Sequence, residues 1–108
     1  MAEYLQVTTA ASSGAEAQRI AEALVARRQA GCVQVFGPLQ SVYRWQGAVE
    51  RAEEWLCLAK TTRAQYPAVE ATILEFHSYD CPEVIATPIV AGSAAYLNWL
   101  AEQTIADD

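Results

Sequence analysis

A chain of 108 residues holds enough apolar material for one core and too little for two, since single cores of roughly 100 to 150 residues are the commonest size, so residues 1–108 are expected to form a single domain. Its hydrophobic content of 53% exceeds what the interior of a small monomer uses, which points to apolar surface buried between chains. Thirteen acidic residues against seven scattered basic ones leave a net charge of −6, which argues against nucleic acid, whose binding rests mainly on phosphate neutralisation.

From the amino terminus, Tyr4 to Thr9 alternates in polarity and is rich in strand formers, predicting a first strand ended by Ser12, Ser13 and Gly14. Ser13 followed by Glu16 has the spacing of a capping box, and Ala17, Ile20, Ala21 and Leu24 then share one helical face up to an expected stop at Gly31. Cys32 to Phe36 and Ser41 to Trp45 both read as extended, with Gly37-Pro38 between them, predicting one long strand with a bulge or kink. Gln46-Gly47 is the expected turn. Trp55 to Ala59 is apolar at every position, the pattern of a central strand covered on both faces.

A second helix should carry Val69, Ile73 and Phe76 on one face, with Pro67 in or near its first turn, where a missing N–H does no harm. Val84 to Val90 is the expected fourth strand, and Pro88 places it at a sheet edge or a strand end. Gly92-Ser93 then leads into a short helix holding Tyr96, Leu97, Trp99 and Leu100. The order β-α-β-β-α-β plus a terminal helix is that of an α+β, ferredoxin-like sandwich. It has a four-stranded antiparallel sheet, two helices on one face and a short C-terminal helix. The helices cover one face only, so self-association is the simplest way to bury the other.

Cys32, Cys57 and Cys81 are odd in number, far apart and in no C-x-x-C pair, so free thiols are expected. No apolar run approaches the ~20 residues of a membrane span, and Met1-Ala2-Glu3 has no basic start leading into one, so a cytoplasmic location is expected.

Several strings, taken together, resemble the CutA family in order and spacing. They are Cys32-Val33-Gln34-Val35, Ser41-x-Tyr43-x-Trp45-x-Gly47, Glu50-x-x-Glu53-Glu54, Lys60-Thr61, His77-Ser78-Tyr79-Asp80-Cys81-Pro82-Glu83 and Tyr96-Leu97-x-Trp99-Leu100, covering Leu5 to Leu100. Ser78 stands where the family pattern has a Pro after His. The resemblance implies a homotrimer of ferredoxin-like subunits, similar in architecture to the PII signalling proteins. It also implies divalent-metal binding, copper being the metal proposed, with no obligatory cofactor.

The residues themselves offer two kinds of chemistry. His77, the only histidine, lies between the second helix and the fourth strand beside Tyr79, Asp80 and Glu83. It is either a hydrogen-bonding anchor or a metal ligand, and as a ligand it needs help, because transition-metal sites take three or four protein ligands. Cys32 or Glu83 of a neighbouring copy are the candidate companions. Tyr43 and Trp45 share a strand face, and Tyr96 and Trp99 a helix, so with Tyr79 these aromatics are expected in a ligand cleft or a subunit interface. Lys60 is placed to meet an anionic ligand or a neighbour's carboxylate. Glu50, Glu53 and Glu54 form either a cation patch or a solvated run. Two functions stay open: a metal-responsive trimer, or a PII-like module holding a small ligand or an unidentified protein partner in its clefts. No Ser-His-Asp set, phosphate loop or Cys-His nucleophile is visible, so an enzyme is not expected.

Overall fold

Residues 3–105 are described by a computed structural model of the chain. Alternation along Tyr4–Ala11 makes the first strand, β1, whose Leu5, Val7, Thr9 and Ala11 are buried towards the helices. Helix α1, Gly14–Ala26, starts at Ser13, whose hydroxyl accepts the Glu16 backbone N–H at 3.1 Å. The expected face is the buried one: Ala17, Ile20, Ala21 and Leu24 all point inward. The expected stop is not. The helix closes at Ala26, five residues before Gly31, because Arg28 takes the left-handed conformation with φ 58°. The N–H groups of Gln29 and Ala30 then both return to the Leu24 carbonyl, at 3.0 and 3.2 Å. Arg28 is held there from a distance, its guanidinium donating to the carbonyls of Glu102 at 2.8 Å and Gln103 at 3.2 Å. Gly31 serves packing instead, since a Cβ there would lie 2.7 Å from Leu100 Cδ1.

The long strand β2, Cys32–Trp45, pairs with β3, Ala48–Thr62, with one extra β2 residue between Phe36 and Leu39. The expected bulge is therefore present, at the cis Gly37-Pro38 bond. Gln46 and Gly47 close the hairpin with φ of 49° and 80°, the two positive values a two-residue turn matched to strand twist requires. After a short 3-10 turn, Arg63–Gln65, helix α2 runs Tyr66–Phe76 with Pro67 in its first turn. Strand β4 is only Ile85–Pro88, shorter than expected, and lies at a sheet edge as Pro88 implied. Helix α3, Ala94–Gln103, begins where the Ser93 hydroxyl accepts the Tyr96 N–H.

The sheet order is β2-β3-β1-β4 and every pair is antiparallel, the ferredoxin-like arrangement. Helices α1 and α2 close one face over Val7, Ala11, Ala17, Ile20, Leu24, Cys57, Ala59, Val69 and Ile73. The other face is open in one chain, as helices on a single side imply. Cys57 and Ala59 are buried, but Leu56 and Leu58 are only half-buried, and Phe36, opposite Leu56, is 51% exposed. In one chain the apolar run of β3 is covered on the helix side alone. Pairing of β1 with β3 also ends at Ala11 and Trp55, so the hairpin over residues 39–54 projects past the sheet as an arm. The arm explains a radius of gyration of 14.4 Å, against about 13 Å for a compact domain of this length.

Candidate functional site

The arm, the end of β1 and the loop after α2 enclose a cleft of about 690 Å³. Strand alternation sends Tyr43 and Trp45 to one side of the arm, together with Glu50 and Glu54 across the hairpin, while Glu53 lies on the other side. Tyr43, Trp45 and Glu54 line the cleft, and Ser78, Tyr79, Asp80, Cys81 and Glu83 face them from the loop. The acidic stretch is thus divided: Glu50 and Glu53 are exposed, whereas Glu54 is 7% exposed and accepts the Tyr79 hydroxyl at 2.8 Å. Burial of Tyr79, and then its bond to Glu54, push its pKa well above the ordinary phenol value, so it stays a donor.

The loop is fixed from behind by three side chains. His77 Nδ1 accepts the Tyr79 N–H at 3.2 Å, so this nitrogen presents its lone pair, and Nε2 carries the proton to the Ala10 carbonyl at 2.8 Å. Both ring nitrogens are used within the chain, and the ring also packs on Tyr79 at a centroid distance of 4.9 Å. Glu16 is buried and joins the start of α1 to the same loop. It accepts the Ser78 N–H at 2.7 Å and the Ser12 N–H at 3.0 Å, while the Ser12 and Ser78 hydroxyls lie 3.3 Å apart. Burial opposes ionisation of Glu16, but the hydrogen bonds from Ser78 and Ser12 outweigh it and hold the pKa below the ordinary value. Glu16 reads in the sequence as a cap alone, and its half of the capping box goes to Ser12 instead of Ser13.

The expected site residues separate into two groups. Tyr43, Trp45, Tyr79 and Glu83 meet at the cleft. Cys32, Lys60, Tyr96 and Trp99 gather at the opposite end of the sheet. Cys32 pairs with Lys60, which pairs with Gln6, whereas the His77 contact is at Ala10, four residues or about 13 Å along β1. There the Lys60 ammonium donates to the Gln34 side-chain carbonyl, and the Tyr96 and Trp99 rings pack at 5.6 Å. Burial and the neighbouring Cys32 raise the Tyr96 pKa. His77, Cys32 and Glu83 therefore do not converge within one chain, and among the described residues no group of three His, Cys, Asp or Glu side chains is placed to hold a metal. Cys57 is buried, donates to the Ala17 carbonyl at 3.4 Å and has its thiol pushed up to about 11 by burial, so it stays an inert thiol.

Residues 5–103 match the family model described as CutA1 divalent ion tolerance protein. The chain belongs to the CutA1 family. It is 44% identical over 88 residues to the divalent-cation tolerance protein CutA of Thermus thermophilus, covering 82% of this chain and 85% of that one. A solved structure of the divalent cation tolerance protein of Thermus thermophilus superimposes with a TM-score of 0.92 at 40% identity, over 94% of this chain and 98% of the other. The structure of the periplasmic divalent cation tolerance protein CutA of Archaeoglobus fulgidus gives a TM-score of 0.92 at 32% identity, over 94% and 99%. The chain spans about half the length of the mouse protein CutA, 50%, with which it is 36% identical over 88 residues, 82% of this chain. Among the described residues no helix is long and apolar enough to cross a membrane.

In this CutA1 chain both nitrogens of the loop imidazole are hydrogen-bonded to the backbone. His77→Ala frees the buried Ala10 carbonyl and the Tyr79 N–H, and is expected to lower unfolding free energy by about 1–3 kcal/mol. Urea denaturation at fixed protein concentration checks this; stability equal to wild type would leave the imidazole free for another task.

Proposed function

We propose that this CutA1-family chain acts as a cytoplasmic homotrimer, a binding protein and not an enzyme, that takes divalent cations, copper among them, at sites completed between copies. The uncovered sheet face carries the reading. Leu56 and Leu58 remain half-buried and Phe36 exposed, beside an arm that has no partner strand from β1. Closing three copies around an axis buries such a face and pairs the edges without building a fibre. The metal part of the reading draws on the names of the relatives and on the carboxylates of Asp80 and Glu83, which line the cleft beside Cys81. Since no three ligands come together among the described residues of one chain, a second copy has to contribute. Three unpaired thiols, Cys32, Cys57 and Cys81, suit a reducing compartment.

Sedimentation equilibrium at low micromolar concentration is the test of assembly, and a mass near three times the chain mass is expected. Obligate interfaces bury more than about 2,000 Å², so dissociation should coincide with unfolding. A folded monomer would overturn the assembly. Titration of the same sample with copper and zinc tests the ligand: saturable binding weakened by Glu83→Gln supports metal at the cleft, and its absence removes metal from the reading. A second reading, a PII-like module holding a small organic ligand, is favoured by the size of the cleft, since 690 Å³ lies within the roughly 300–1,000 Å³ typical of ligand pockets.

A further inference from the structure

Glu54 is the anomaly of the cleft. The residue is only 7% exposed, yet among the described residues it meets no cation, and its side-chain hydrogen bond comes from the neutral Tyr79 hydroxyl to Oε2. Buried charges are ordinarily paired or bound to a metal. The partner is not found in the walls: Tyr43, Trp45, Tyr79, Asp80 and Glu83 surround the same space, and no Lys or Arg lines it. The described ion pair, Arg27 with Glu75, lies elsewhere, on α1 and α2.

We propose that the cleft binds an organic cation, an ammonium or guanidinium group carried on a short carbon chain, with Glu54 as its buried counter-charge. The inference rests on the second reading above, of the cleft as a small-ligand pocket, and names the ligand's chemical class. Two features select an organic cation over a metal ion. A divalent ion takes six or more oxygen ligands, or three to four nitrogen and sulfur ones, and no such group converges here among the described residues. The walls instead include three aromatic rings, Tyr43, Trp45 and Tyr79, and the faces of Tyr and Trp rings attract weakly hydrated organic cations. The Tyr79 hydroxyl holds Glu54 Oε2, which leaves Oε1 to accept from the incoming N–H. Asp80 and Glu83, both exposed at the rim, meet a second positive group if the ligand carries one at its other end.

The experiment is calorimetric titration of the purified protein, in its native assembly, with agmatine, and with 1,4-butanediol as an uncharged control. Saturable binding of agmatine in the micromolar to low millimolar range is expected, with none for the diol. Glu54→Gln removes the charge and keeps an acceptor for Tyr79, and should weaken binding at least tenfold. Trp45→Ala, on the exposed arm, should weaken it several-fold, and it decides the matter if the Gln variant does not fold. Three results would overturn the proposal: no saturable heat, affinity unchanged in both variants, or displacement of agmatine by an equal concentration of magnesium chloride. Sedimentation of the same sample separates this inference from the assembly. A trimer that ignores agmatine sinks the inference alone, and a monomer that binds it sinks the trimer alone.

Discussion

Gly37→Ala is expected to lower the unfolding free energy by about 2–3 kcal/mol, the upper part of the range for forcing atoms into space already occupied. A Cβ at this position would lie 2.7 Å from Trp55 Cδ1, 2.8 Å from Cγ and 2.9 Å from the Glu54 carbonyl oxygen. Neither neighbour is the far end of a flexible side chain. The carbonyl belongs to the backbone of β3, and Cγ and Cδ1 lie at the base of the Trp55 indole, whose Nε1 side faces Gly14. Trp55 thus sits between two glycines, one at the start of α1 and one at the bulge of β2, and packs on the core from there. Gly47→Ala is the control. Nothing lies within 4 Å of its Cβ, so it meets only the disfavoured φ of 80°, at a cost of about 1 kcal/mol. Chemical denaturation of the three proteins at one concentration compares them. A Gly37 variant no less stable than the Gly47 variant would show that the ring relaxes.

The pair of glycines also shows which features could be read from the chain beforehand. Gly37-Pro38 announces a break in an extended run, and Gln46-Gly47 a tight turn, because local backbone chemistry dictates both. Ile20, Leu24, Val69 and Ile73 announce core faces by their period. The role of Gly14 beside Trp55 is invisible, since 41 residues separate them and only the fold brings them together. The end of α1 fails for the same reason: Arg28 takes a conformation that glycine usually takes, held by carbonyls at the far end of the chain. Beyond Trp55 towards the turn, β3 carries Glu50, Arg51, Glu53 and Glu54, charges that read as an acidic patch and hide the strand. Glu50, Arg51 and Glu53 are tolerated because they stand in solvent on the arm, whereas Glu54 is buried against Tyr79. At the site, Tyr43 with Trp45 follows from strand alternation, and the loop from His77 to Glu83 from its composition. The sequence could not separate the cleft aromatics from Tyr96 and Trp99, because that distinction depends on which end of the sheet each element reaches.

Glu16→Ala should be comparably damaging, and Glu16→Gln should change how stability responds to acid. The buried carboxylate accepts backbone N–H groups from Ser78 and Ser12, so alanine removes two charge-assisted bonds and leaves both donors unsatisfied, a loss of about 3 kcal/mol. The sign of the pH effect follows from the direction of the shift. Burial would raise the Glu16 pKa, but the Ser78 and Ser12 bonds prevail and lower it. The folded state therefore binds fewer protons than the unfolded chain through this interval, and the stabilisation is complete above the ordinary carboxyl range. It is lost as pH falls through the lowered folded value. Glutamine has no proton to take up there. The stability gap between wild type and Glu16→Gln should consequently be widest at pH 7 and shrink on titration towards about pH 3, as urea denaturation at both values would show. A gap of equal size at the two pH values would mean that hydrogen-bond geometry, and not charge, gives Glu16 its effect. The consequence reaches the cleft, because Ser78 precedes Tyr79. Once Glu16 releases the Ser78 N–H, only His77 and the Ser12 hydroxyl are left to hold the loop that keeps the Tyr79 hydroxyl on Glu54, and affinity for a cation at Glu54 should fall in the Glu16 variants ahead of global unfolding.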